Sequence, residues 1–140
     1  MRIVAIAVAI CISTSAFAKD TLLCIPDYQT GYRFDKDQGK WLPQAFNDGN
    51  KYILWRKDGQ LVWSVFGKPA TTDPVCAEFG MYGFSQCDSV AGNVILNRKK
   101  MRFQIIYEWG YVQGGGVSPK LFPVEGTDAP YIEIGTCSPL

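Results

Sequence analysis

The sequence predicts an all-β domain: a small antiparallel β-barrel, or a sandwich, of about seven to nine short strands braced by two disulfides. Three observations carry this. Beyond residue 18 no stretch keeps a helical apolar period; short alternating runs bounded by turn residues recur instead. Aromatic residues make up 14% of the chain, and they recur within those runs, where a pleated, half-buried surface accommodates them. Four cysteines remain once the N-terminal segment is set aside, an even number suited to a disulfide framework.

That N-terminal segment reads as an address. Arg2 supplies a positive start, Ile3–Ile12 is an uncharged apolar run, and Ala16-Phe17-Ala18 places small residues where a signal peptidase cuts before Lys19. The run is shorter than the ~20 apolar residues of a membrane span. Cys11 follows Ile10 and Cys24 follows Leu23, so neither has the small preceding residue of a lipid-acceptor cysteine. The expected organisation is a cleaved signal, 1–18, and one β domain, 19–140, exported to the periplasm or beyond. Cleavage removes Cys11 and leaves Cys24, Cys76, Cys87 and Cys137. Sequence alone permits three pairings of these four. The expected one is Cys76–Cys87, closing a short loop, with Cys24–Cys137 tying the two ends of the domain.

The clearest element is Lys51 to Phe66, where two alternating runs flank Asp58-Gly59, a two-residue hairpin signal of the type I′ class. Next is Arg102 to Val112, expected as one strand with Phe103, Ile105, Tyr107, Trp109 and Tyr111 on one face. Residues 94–97 should pair with it through a turn at Arg98-Lys99-Lys100. Further strands are expected at Leu22–Ile25, Tyr32–Asp35, Met81–Gln86 and Tyr131–Thr136. Asp35 to Gly39 and Phe46 to Asn50 read as turns, and Gln113 to Pro130 as a long loop rich in Gly and Pro. A closed barrel is the preferred arrangement, because closure removes exposed strand edges.

Composition narrows the chemistry. Lys and Arg total 14 against 13 Asp and Glu, which is no electrostatic footprint for nucleic acid. The chain has no histidine, so His-based triads, His metal sites and Cys–His pairs are excluded. No pair of cysteines has C-x-x-C spacing, and no metal or cofactor is expected. Asp35-Lys36-Asp37-Gln38-Gly39 has a fragment of calcium-loop spacing, but Phe46 stands where the loop's closing Glu belongs, so a charged turn is expected. The triple glycine at 114–116 lacks the Lys-Ser/Thr ending of a phosphate loop. One carboxylate pair, Glu108 and Glu133, would suit glycoside hydrolysis if the two were neighbours across strands.

The binding candidates are aromatic and basic. Trp63, Trp109 and Tyr107 are expected in the core. Trp41, Tyr28 and Tyr32 flank turns and are candidates for a stacking surface. Arg98, Lys99 and Lys100 form a basic hairpin tip that would attract anionic polymers weakly and in a salt-sensitive way.

The feature order resembles that of small exported bacterial proteins with no assigned activity. The resemblance rests on Cys24, Gly31-Tyr32-Arg33-Phe34, Trp41-Leu42-Pro43-Gln44-Ala45-Phe46, Lys51-Tyr52-Ile53 and Ile134-Gly135-Thr136-Cys137. It spans most of the chain after residue 18 and implies an exported bacterial domain. In size and class the chain is also similar to periplasmic lysozyme inhibitors, small disulfide-bonded β-barrels. Tyr52-Ile53-Leu54-Trp55-Arg56-Lys57-Asp58-Gly59 is similar to one barrel strand of that family. The family's inhibitory Ser-Gly-x-x-Tyr stretch is missing, so no inhibitory residue carries over.

Three functions are therefore weighed. The first is a non-catalytic binding module with an extracytoplasmic protein partner. The second is an envelope-polysaccharide or peptidoglycan binder using Trp41, Tyr28, Tyr32 and the basic tip. The third is a hydrolase built on Glu108.

Overall fold

The computed structural model describes residues 21–47, 49–68, 73–89, 92–111, 126 and 128–140. The apolar N-terminal run, the expected cut after Ala18 and the triple glycine lie outside the described residues.

Every regular element is a strand: β1 (Leu22–Asp35), β2 (Lys40–Phe46), β3 (Tyr52–Lys57), β4 (Gln60–Val65), β5 (Val75–Cys76), β6 (Phe84–Ser89), β7 (Gly92–Asn97), β8 (Arg102–Tyr107) and β9 (Tyr131–Pro139). Antiparallel neighbours run β2-β1-β3-β4-β5-β6-β7-β8-β9, and β9 returns to pair with β1. Eight strands thus close a barrel, and β2 is carried on β1 outside the ring. No described helix is long and apolar enough to cross a membrane.

Closure depends on β1 serving two neighbours in turn. Its first residues, Leu22 to Cys24, pair with β3, while Gln29 to Asp35 pair with β2; β9 lies along its other side from Leu22 to Gly31. The two strands expected within this stretch are one, bent by a bulge between Pro26 and Tyr28. The bulge inserts Asp27 without a ladder partner and resets the alternation of faces. Leu22 and Cys24 point inward before it, and Gln29 points inward after it.

The barrel interior is filled by alternate residues. Leu54, Leu61 and Leu96 are fully buried, and Tyr52, Trp63 and Phe103 form an aromatic cluster with ring centroids 5.0 to 5.8 Å apart. Each such side chain contributes about 1.5–3 kcal/mol on full burial. The Asp58-Gly59 turn joins β3 to β4 with φ of 50° and 82°. Positive φ at both positions is the type I′ geometry that matches strand twist.

Both expected disulfides are present. Cys24 bonds Cys137 across β1 and β9, and Cys76 bonds Cys87 across β5 and β6. The β5–β6 ladder has a single register pair, Cys76 opposite Cys87, so covalent closure falls where the sheet is thinnest. The disulfides fit an oxidising, extracytoplasmic compartment.

Two strands end differently from expectation. β8 stops at Tyr107, and Trp109 to Tyr111 turn away. Gly110 sits at φ 115°, where a Cβ would meet the Asp128 carbonyl oxygen at 2.6 Å, so the extended strand does not pass through it. β6 starts at Phe84, because a turn from Gly80 to Gly83 occupies Met81 and Tyr82.

Candidate ligand groove at one end of the barrel

Where β8 ends and β9 begins, Tyr107 lies opposite Tyr131 in register, and their rings stack at 5.1 Å. The Tyr107 hydroxyl donates to Asp128 Oδ2 at 2.6 Å, and the Ala129 amide donates to Asp128 Oδ1 at 3.0 Å. Burial, and then the bond to Asp128, push the Tyr107 phenol well above the ordinary tyrosine range. It stays a neutral donor, and the ring pair is held at a fixed angle.

β1 passes close beside this pair. A Cβ at Gly31 would collide with the Pro130 carbonyl oxygen and with Tyr131, while the Tyr32 amide donates to that same oxygen at 3.0 Å. Glycine at 31 therefore permits the approach, and the next residue turns its ring outward. The result is a groove of about 570 Å³ with a mainly apolar lining. Tyr32, Tyr107, Tyr111 and Tyr131 supply its aromatic surface, Pro43 and Pro130 its rigid corners. Ile106 and Ile132 also face it, and Glu108 and Thr30 add polar groups. Glu108 is exposed there.

The sequence-derived candidates divide around this groove. Tyr32 lines it and is 53% exposed. Trp41 is half-buried, packed between Phe34 at 5.5 Å and Tyr111 at 5.7 Å, so it props a lining ring and is no open platform. Tyr28, 75% exposed, pairs with Ile134 and faces other depressions of the surface. The basic tip lies at the other end of β8 and is not a uniform positive patch. Arg98 packs over the Phe79 ring at 5.2 Å, Lys99 Nζ donates to the Met81 carbonyl at 3.0 Å, and Lys100 is exposed. The tip also takes four residues, since Met101 follows with φ 52° before β8 begins. The polysaccharide surface expected from Trp41, Tyr28, Tyr32 and the tip is thus not assembled in one place.

Glu108 and Glu133 are also separated. Glu133 is fully buried inside the barrel, opposite Ile105 and Gln29, whereas Glu108 stands on the exposed groove. At the Asp35 turn, one carboxylate oxygen accepts the Asp37 and Gln38 amides at 2.9 and 3.0 Å. The Gln38 amide foremost, with that of Asp37, holds this carboxyl below its ordinary range. The carboxylate organises a turn.

Residue order hid Tyr107, Asp128, Pro130 and Tyr131 as one group. The signal was present in Glu108-Trp109-Gly110, an alternation broken by a glycine, which marks a strand end.

Fold and groove together define a small disulfide-braced β-barrel carrying an aromatic groove on its outside. Among known proteins, no family model, no curated protein and no solved structure matches the chain.

Proposed function

We propose that this protein is an exported, non-catalytic binding module that takes an extended segment of a protein partner into the Tyr32–Tyr107–Tyr131 groove. The observation that carries the reading is the groove itself, about 570 Å³, lined by four tyrosines and two prolines, with one ring pair fixed by Asp128. Tyrosine rings present wide contact area at low entropic cost, and aromatic-lined grooves are a recurring way to bind extended, proline-containing peptides. Export through a signal cleaved after Ala18 places the domain in the periplasm or outside the cell. That placement agrees with both disulfides.

The polysaccharide reading keeps one supporting observation: Tyr32 and Tyr111 are exposed at the groove and are suited to stack a sugar ring. NMR titration of the oxidised protein with extended proline-containing peptides and, separately, with soluble peptidoglycan fragments distinguishes the two. Saturable shifts at Tyr32, Tyr107 and Ile132 with peptides, lost in Ile132→Glu, are the expected result. Shifts with glycan fragments alone would replace the protein partner with envelope polysaccharide. No saturable response at the groove from either probe would overturn the site.

A further inference from the structure

A second surface adjoins the groove along β8, β9 and β1. The outward residues of β6 to β9 and of the first half of β1 include five exposed apolar side chains. Phe84, Ile95, Ile134, Ile25 and Tyr28 are each between 36% and 75% exposed. The register explains why they meet. Ile95 opposes Gln104, Gln104 opposes Ile134, and Ile134 opposes Tyr28, giving one row across four strands. In the next row Arg102 opposes Thr136, and Thr136 opposes Ile25. The bulge in β1 completes the patch: by inserting Asp27 it turns both Ile25 and Tyr28 outward. Ile134 and Tyr28 are direct neighbours at the centre, and Gln104, Arg102 and Thr136 set polar groups among the outer apolar residues; exposed apolar side chains gathered on one face with a polar surround mark an interaction site.

The charges say what covers it. Asp27 and Arg102 both line the depression of about 490 Å³ in this face. Asp27 belongs to β1 and Arg102 to β8, so they flank β9 from its two sides. Among the described residues neither side chain has a hydrogen bond or an ion pair, with the other or with any third group. A partner of one charge sign would gain from one of them and be repelled by the other. A second copy of this chain satisfies both. A two-fold axis through β9 near Ile134 exchanges the β8 side with the β1 side. It brings each copy's Arg102 to the partner's Asp27 and Ile134 to the apolar row. That is the self-complementarity an isologous interface requires.

We infer that the protein forms a two-fold homodimer through the outer face of β8, β9 and β1, with reciprocal Asp27–Arg102 pairs about an apolar centre at Ile134. The dimer face adjoins the tyrosine groove along β9, where Ile134 and Ile132 are successive outward residues.

Sedimentation equilibrium of the oxidised protein over a concentration series tests this. The expected result is a monomer–dimer equilibrium that Asp27→Arg or Arg102→Asp alone weakens by about tenfold or more, as like charges are brought together. The double exchange, Asp27→Arg with Arg102→Asp, restores it. Ile134→Lys abolishes the dimer, and circular dichroism reports whether that variant keeps its fold. The exchange variants change only exposed side chains and give the decisive reading if Ile134→Lys does not fold. A protein that stays monomeric throughout, a dimer indifferent to both single exchanges, or a double exchange that fails to restore association overturns the proposal.

Discussion

Gly135 has no room for a side chain. A Cβ there would meet the Ile25 carbonyl oxygen and press on the Phe103 ring at 2.5 Å. Neither neighbour can yield, since one is backbone and the other belongs to the central aromatic cluster. Gly135→Ala should cost about 1–3 kcal/mol through overpacking, read as a lowered denaturant midpoint with an unchanged slope. Tyr107 offers a test by titration. Its folded-state phenol lies above the unfolded value because burial and the Asp128 bond favour the protonated form. Its contribution to stability is therefore fully present below about pH 10, where an unfolded tyrosine ionises. It is lost as pH rises towards the folded value. In a spectrophotometric titration one phenol should lag behind the others, and Tyr107→Phe should remove that lagging phase. A lag that survives the substitution would assign it to another tyrosine.

The elements show which parts of the fold local sequence reaches. Asp58-Gly59 specifies its hairpin because positive φ at two adjacent positions is a local demand. Export and an even cysteine count point to a disulfide framework but leave three pairings open; the expected one is the pairing that forms. β5 escaped notice because two residues carry no periodicity, and it exists only through its neighbours β4 and β6. In the sequence β1 reads as two strands because a bulge breaks period two at Asp27, where the chain changes partner from β3 to β2. The groove was legible in part. Tyr32 stands out beside a turn-like glycine, but Asp128 and Tyr131 reach Tyr107 only through the register of β8 with β9. No property of the intervening residues encodes that register. The disulfides carry the element-scale prediction. Cys24–Cys137 spans a sequence separation of 113 and Cys76–Cys87 one of 11. Replacing the first pair by alanine should cost about 5 kcal/mol and the second about 3 kcal/mol, by loop-closure entropy. Denaturant unfolding of the two double variants checks the order. The smaller loss should come with faster amide exchange around β5, where only one register pair holds the seam.

Across the whole molecule, the proposed groove grows out of the scaffold, since Tyr131 both packs against the core and lines that groove. The interior is committed to packing, so the two surfaces proposed for recognition are the tyrosine groove at one end of β8 and the outer face centred on β9. The bond between the first and last strands has a mechanical meaning as well. Leu22 lies beside Pro139, and the Leu140 amide donates to the Thr21 carbonyl, so the two ends of the domain leave the barrel side by side. A pull applied to the two ends would pass directly across Cys24–Cys137 without loading the strands between them, so the oxidised domain would not extend. Reduced, the separation of 113 residues would be released to stretch, by roughly 38 nm when fully extended.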